Sequence, residues 1–331
     1  MNYPESQKIF EEIKKAKNIL INCHRGPDPD SIGSSLSLKL VLEEMGKKVT
    51  VVCVSDELHE NVSYLRGYGE IQKSVNYNKL KLTEYDLFIS PDSSSIDQVT
   101  DMKDFVFDGI KVITIDHHKS NTGFGNINLV DPVITSVGEL LFKIYSDWQV
   151  SISKDVANCV MAAMVGDTGA FRYPGVGIDT YKTVISLMEK GADKDFAVQK
   201  LYGSEPYELI KFYGEVLALV KMDKENKFVY SAIPYSVFEA AGKPSNAKES
   251  AASLFCQIVD NTDFGFIALE KENGKLSVSF RSRSGFDTSK IAVELGGGGH
   301  IYASGASVTG LTFDDAVEKV LSVCRKYAAK N

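Results

Sequence analysis

The segment Val112-Ile113-Thr114-Ile115-Asp116-His117-His118 runs an apolar, β-branched stretch straight into one carboxylate and two imidazoles. Buried strands of parallel sheets read as such runs, and in open α/β sheets ligand chemistry sits where the strands end. An acid and two histidines at that edge suit a metal ion, a phosphate, or both. Taken alone, they suit equally well a capped loop and an acid that satisfies backbone donors.

Three more segments repeat the pattern. Ile19-Leu20-Ile21-Asn22-Cys23 leads into His24-Arg25-Gly26-Pro27-Asp28-Pro29-Asp30-Ser31; Leu87-Phe88-Ile89-Ser90-Pro91 ends in Asp92; and the apolar Ala157 to Val165 ends in Gly166-Asp167-Thr168-Gly169, with Phe171 and Arg172 beyond. In an extended segment alternate residues face one way, so Asp28 and Asp30 are expected to point to one place, with His24 joining them. Like charges held together are costly unless a cation neutralises them. One such triplet also fits a solvated acidic turn; four segments together read as a single site at one sheet edge. Carboxylates and imidazoles without thiolate favour Mn²⁺, with Mg²⁺ also suited, over structural zinc. More than four candidate ligands suggest two ions, which in hydrolases stand about 3.5–4 Å apart.

The elements that must position these residues follow from periodicity. An amphipathic first helix carries Ile9, Phe10 and Ile13. The strand at 19–23, a turn stiffened by Pro27 and Pro29, a helix from about Ser31 to Gly46 and a strand at 49–54 make a βαβ unit and imply a parallel sheet. Helices are expected over 179–190, closed by Gly191, and from Ser204 with Pro206 to about Lys221. The acidic strand ends stop there. The reading is a catalytic domain over 1–190, a helical linker over 191–215 and a substrate-binding domain over 216–331.

In that second part a strand at 227–233, a helix near 248–260 and strands at 263–270 and 275–283 are expected, the last two joined by the hairpin signal Asn273-Gly274. On the last strand Val278 and Phe280 face one way, Arg281 and Arg283 the other. Gly296-Gly297-Gly298-Gly299-His300 follows; a glycine run tolerates positive φ and opens backbone N–H groups to an anion. With two arginines nearby it suggests a phosphate or nucleotide pocket. A final helix spans about 313–329.

Composition narrows the class. The 331 residues exceed the usual single-domain size, and a 44% apolar fraction supports a sizeable core. Net charge is −7, which argues against a protein that coats long duplex nucleic acid. The five cysteines (Cys23, Cys53, Cys159, Cys256 and Cys324) have no CxxC spacing and read as reduced thiols of a cytoplasmic protein. No segment reads as a signal core or membrane span, so no membrane partner is expected.

These motifs together resemble the DHH family of phosphoesterases, in the subgroup that bears a DHHA1 domain. The first family motif matches His24 to Ser34, the second Asp92, the name-giving triplet Asp116-His117-His118 and the fourth Gly166 to Arg172; the DHHA1 signature matches Gly296 to His300, preceded by Arg281 and Arg283. The resemblance covers nearly the whole chain with the motifs in order. One departure is Pro91, where a more apolar residue is expected before the acid. The layout is that of stand-alone oligoribonucleases that also remove a phosphate from 3′-phosphoadenosine 5′-phosphate.

The resemblance implies an α/β fold: a parallel-sheet DHH domain with helices on both faces and a smaller α/β DHHA1 domain, with the active site in a cleft between them. It implies that His24, Asp28 and Asp92 hold one cation and that Asp30, Asp92, His117 and Asp167 hold the other, Asp92 bridging. It implies attack on phosphorus by a water activated between two divalent cations. His118 would contact the phosphate, Asp116 would orient the histidines, and Arg172 joins them as a catalytic candidate. Arg281, Arg283, Gly297, Gly298, Gly299 and His300 would bind the rest of a short single-stranded RNA or nucleotide. Three alternatives stay open: an inorganic pyrophosphatase or exopolyphosphatase, which lacks the Gly296–His300 signature; a phosphodiesterase of linear or cyclic dinucleotides; and a non-catalytic RNA- or nucleotide-binding protein. A homodimer is left open.

Overall fold

The computed structural model describes residues 3–329. The chain divides into two compact units, Met1–Ser204 and Glu205–Asn331.

The first unit begins with α1 (Pro4–Lys15), which carries a proline in its first turn and buries Ile9 and Ile13, one helical turn apart. Then come β1 (Asn18–Cys23), α2 (Pro29–Glu44), β2 (Lys48–Cys53), β3 (Leu87–Pro91), α3 (Ile96–Thr100), β4 (Lys111–Asp116), β5 (Ile127–Val130), α4 (Val137–Asp147), α5 (Lys154–Asp167), α6 (Ile178–Glu189) and α7 (Lys194–Tyr202). The five strands are ordered β2-β1-β3-β4-β5, all parallel. Side-chain alternation divides them between two cores. Ile19, Ile21, Ile89, Ile113 and Ile115 join α1, α2, α4 and α5. Leu20, Phe88 and Val112 meet Val99 of α3 and an aromatic group around Tyr77, Phe105 and Phe107.

The central helix α2 is buried from Asp30 to Leu42, because it lies between the sheet and α5. Each fully buried leucine there contributes about 1.5–3 kcal/mol. Gly33 sets the spacing: a Cβ at this position would come 2.5 Å from the carbonyl oxygen of Cys159.

The second unit comprises α8 (Tyr207–Ala218), β6 (Lys221–Asp223), β7 (Phe228–Ile233), α9 (Tyr235–Ala240), α10 (Ala247–Phe255), β8 (Phe264–Glu270), β9 (Leu276–Ser282), α11 (Thr288–Glu294), β10 (Gly298–Gly299), β11 (Ala303–Val308) and α12 (Phe313–Ala328). Its mixed sheet is ordered β10-β11-β9-β8-β7-β6, with only β7 and β8 parallel among the described strands. One face packs Phe264, Phe266, Val278 and Phe280 with residues of α11 and α12; the other packs Ile267 and Leu269 with residues of α8, α9 and α10.

The α/β class, the parallel first sheet and the β8–β9 hairpin at Asn273-Gly274 agree with expectation. Several limits differ. α2 starts at Pro29 because Asp28 caps it, its side chain accepting from Ser31 N at 2.9 Å. The expected helix to Lys221 ends at Ala218, and Lys221 opens the edge strand β6. The helix expected to reach Asp260 ends at Phe255. Arg283 falls outside β9, which stops at Ser282. The division after Ser204 lies inside residues 191–215, leaving α7 with the first unit and α8 with the second. Among the described residues no helix is long and apolar enough to cross a membrane.

Candidate metal centre and active site

His24 leaves the end of β1, Asp92 the end of β3, and His117 and His118 the end of β4, so the parallel sheet brings all four to one edge. α2 and α5 contribute Asp28, Asp30 and Asp167 at their ends. Three sets of ligand-type atoms lie within 4.8 Å of one another: His24, Asp28 and Asp92; Asp30, His117 and Asp167; Asp92, His117 and His118.

Asp92 belongs to two of these sets, and His117 links the third to them. Asp92 takes φ 53°, so the chain turns sharply out of β3, while its own N–H still donates to Ile115 O at 2.9 Å. One carboxylate oxygen lies 3.5 Å from His24 Nε2; the other lies 3.7 Å from both His117 Nε2 and His118 Nδ1. That second oxygen is buried with no hydrogen-bond partner. A buried carboxylate oxygen without a donor is costly, and separations of this size exceed hydrogen-bond length while remaining close enough to share a cation.

Two histidines are set for ligation. His24 Nδ1 lies 3.0 Å from Arg25 O and His117 Nδ1 lies 3.3 Å from Ile134 O. A carbonyl only accepts, so each Nδ1 carries a proton, and Nε2 is the atom that faces the carboxylates, as a proton donor without a cation and as the free ligand atom once that proton is displaced. His117 Nε2 is 3.1 Å from Asp167 and 3.9 Å from Asp30. Without a cation, burial pulls the His24 imidazole down, but hydrogen bonds and charge from Asp28 and Asp92 hold it at about 11. For His117 burial is likewise overridden, chiefly by Asp167 and Asp30, and the ring is held at about 10. Burial and the charges of Asp92 and Asp167 push the Asp30 carboxyl well up; burial, then Asp92 and Asp28, lift Asp167 to about 6 against His117. Negative charge has been gathered beyond what the chain's own cations neutralise, and carboxylates with imidazoles make a donor set fitted to hard or borderline divalent cations.

Asp28 and Asp30 do not converge as expected. Only Asp28 is extended, as the helix cap, and it faces His24 at 3.7 Å; Asp30 already lies in the first turn of α2 and faces His117. Asp30 is also held by the N-terminus of α4, accepting from Val137 N at 2.7 Å and Gly138 N at 2.9 Å. Sequence reading missed this support. Its signal was the capping box Ser136-Val137-Gly138-Glu139, in which Ser136 accepts from Glu139 N at 3.1 Å. Asn121 was missed too: it donates to Asp116 at 2.6 Å and to Ser93 O at 3.2 Å.

Asp116 is buried and accepts from His118 Nδ1 at 2.8 Å, so that bond does not use Nε2 of the exposed His118. Arg172 is exposed; its Nε donates to Gly169 O at 2.6 Å.

In the second unit, Arg281 is half-buried and donates to Ser253 at 3.1 Å, and the exposed Arg283 meets Asp260 at 3.1 Å. Arg281 pairs in register with Ala303 of β11, whose other neighbour is β10, so Arg281 and Gly298–Gly299 share one sheet. The expected open glycine cradle is only partly present. Gly296 N and Gly297 N donate to Val293 O and Ala292 O, and His300 N donates to Ala303 O; these amides serve the helix end and a turn and are spent. Gly298 and Gly299 form the exposed edge strand β10. Two of the glycines are needed for close approach: a Cβ at Gly297 would run into Gly305 O, and one at Gly299 would lie 2.5 Å from Ser304 Cα.

A parallel sheet with this carboxylate–histidine edge, followed by a mixed-sheet domain, belongs to the DHH family of phosphoesterases. Residues 18–164 match the DHH family N-terminal domain and residues 225–330 the DHHA1 domain. The chain is 28% identical over 326 residues to the bifunctional oligoribonuclease and PAP phosphatase NrnA of Thermus thermophilus, covering 98% of this chain and 95% of that protein. It is 26% identical over 316 residues to the probable bifunctional oligoribonuclease and PAP phosphatase NrnA of Streptococcus mutans, covering 95% and 96%. A solved exopolyphosphatase-related protein from Bacteroides fragilis superposes with a TM-score of 0.88 at 26% identity, covering 98% of this chain and 96% of that one.

Proposed function

We propose that this phosphoesterase hydrolyses short RNA oligonucleotides to mononucleotides and removes the 3′-phosphate of 3′-phosphoadenosine 5′-phosphate. The observation that carries the reading is Asp92, whose two carboxylate oxygens face His24 on one side and His117 with His118 on the other, one of them buried and unpartnered.

His24, Asp28 and Asp92 would hold one divalent cation, and Asp30, Asp92, His117 and Asp167 a second, with Mn²⁺ preferred. Such cations supply Lewis acidity that activates water and neutralises charge on the phosphate. The chain's own residues do the rest. Asp116 fixes the His118 ring so that Nε2 can donate to a phosphate oxygen, and Asn121 keeps Asp116 in place. Arg172, five residues after Asp167 in the same loop, would add a guanidinium suited to phosphate. In the second unit Arg281, Arg283, Gly298, Gly299 and the His300 side chain are the proposed contacts to the rest of the nucleotide. The names of the Thermus and Streptococcus relatives, each matched over nearly its whole length, support this substrate class.

The test is a parallel assay with Mn²⁺ on a dinucleotide, a pentanucleotide RNA, 3′-phosphoadenosine 5′-phosphate and pyrophosphate. Turnover of the first three is expected. Turnover of pyrophosphate alone would overturn the reading.

A further inference from the structure

The loop that follows Asp167 is touched by Tyr202, a residue that none of the motifs includes. Gly169, Ala170 and Phe171 take φ 57°, 57° and 66°, three successive left-handed residues of which two carry side chains. Such a run costs energy at each non-glycine position and persists only where its surroundings enforce it. It lies between Asp167 and Arg172.

Tyr202, the last residue of α7, touches this loop at both ends. Its hydroxyl donates to Gly166 O at 3.0 Å, with Val165 O at 3.4 Å, so it adds a side-chain donor to the carbonyls that already accept from Gly169 N and Ala170 N where α5 ends, immediately before Asp167. Its ring lies beneath Arg172, the guanidinium carbon 5.4 Å from the ring centroid. Arg172 is thereby held between Gly169 O and an aromatic face. Tyr202 also stands two residues before the division after Ser204, in the last helix of the first unit.

We infer that Tyr202 is a positioning residue: its hydroxyl sets the end of α5 that carries Asp167, and its ring sets the direction of Arg172. The two functions are separable, because one needs only the oxygen and the other only the ring. The inference rests on the reading of Asp167 as a cation ligand and Arg172 as a phosphate contact, so wild-type protein is measured first for Mn²⁺ binding and turnover; failure there overturns that reading and not this one.

Tyr202→Phe keeps the ring and removes the oxygen. Calorimetric titration of cation-free protein with Mn²⁺ should show affinity weakened about three- to tenfold, with KM for a dinucleotide within twofold of wild type. Tyr202→Leu removes both and should also raise KM about tenfold. In an Arg172→Ala background the added KM effect of Tyr202→Leu should vanish, because the residue through which the ring acts is gone. Tyr202 is 41% exposed at a helix end, so both variants are expected to fold. Unchanged Mn²⁺ affinity in Tyr202→Phe, or KM effects that persist undiminished without Arg172, would overturn the inference. A lowered melting temperature with unchanged Mn²⁺ affinity and KM would also overturn it, by making Tyr202 packing alone.

Discussion

His118 Nδ1 lies 2.8 Å from Asp116 Oδ1. The acid is buried and belongs to none of the three clustered ligand sets, so its action falls on the imidazole. Its hydrogen bond raises the His118 pKa above the ordinary value, against burial. Asp116→Asn should therefore lower the His118 pKa, read by NMR titration of cation-free protein. Cation content should stay unchanged while kcat falls about ten- to a hundredfold. Loss of bound cation in this variant would make Asp116 a ligand.

Asp92 faces both halves of the cluster, whereas Asp28 and Asp167 each face one. Asp92→Asn should abolish binding of both cations. Asp28→Asn and Asp167→Asn should each lower the stoichiometry from two to one. Metal analysis after equilibrium dialysis distinguishes these outcomes, and equal loss in all three variants would remove Asp92 from its bridging place.

Stability should depend on pH in a direction that divalent cations reverse. Asp167 is lifted to about 6 and Asp30 is raised well above the ordinary carboxyl value. A raised folded-state pKa contributes stability that is present below the unfolded value, near pH 4, and is lost as pH rises through the folded one. His24 at about 11 and His117 at about 10 act with the same sign, their contribution declining above the unfolded value of about 6.5. Cation-free protein should thus lose melting temperature from pH 5 to pH 8, while excess Mn²⁺ stabilises more at pH 8 because fewer protons must be displaced. Scanning calorimetry at pH 5, 6.5 and 8 reads the difference. A cation-induced shift that shrinks as pH rises would contradict the assignment.

The arginines of the second unit should separate substrate handling from cation binding. Arg283 meets Asp260, which is itself 88% exposed, so releasing that ion pair costs little. Arg281→Ala and Arg283→Ala should each lower kcat/KM about ten- to a hundredfold, as expected for loss of a charge-assisted phosphate contact of about 1.5–3 kcal/mol. Cation stoichiometry should remain that of the wild type; its collapse would mean that these arginines are structural.

Substrate length follows from charge. The chain carries 37 basic and 44 acidic residues, so added phosphates meet a net acidic protein. Single-turnover hydrolysis of RNAs of graded length at fixed salt should be fastest at about two to five nucleotides and slow steeply beyond, because extra phosphates find no extended basic track. Rates that stay level past a dozen nucleotides would show such a track.

The parallel sheet and its reactive edge were legible in the chain because both are written locally. Ile19 to Cys23, Leu87 to Pro91 and Val112 to Asp116 are short β-branched or apolar runs, each ending in a histidine or acid, and parallel strands all present that end on one side. No cysteine joins the clustered ligands among the described residues, although Cys53 lies beside them, its Sγ 3.5 Å from His24 O. Pairing within the cluster was not local. Asp28 and Asp30 are two residues apart, yet one faces His24 and the other His117, because the helix begins between them and turns the second away. The amides that hold Asp30 come from Val137 and Gly138, 107 and 108 residues along the chain, and reach it only when α4 docks against α2. Gly296 to His300 shows the same limit. Four glycines specify a permissive backbone, but whether their amides are open or spent is decided by the helix end and the strand they meet. A local pattern determines which groups reach the sheet edge; long-range docking decides which hydrogen bonds they make, because each depends on a partner far along the chain.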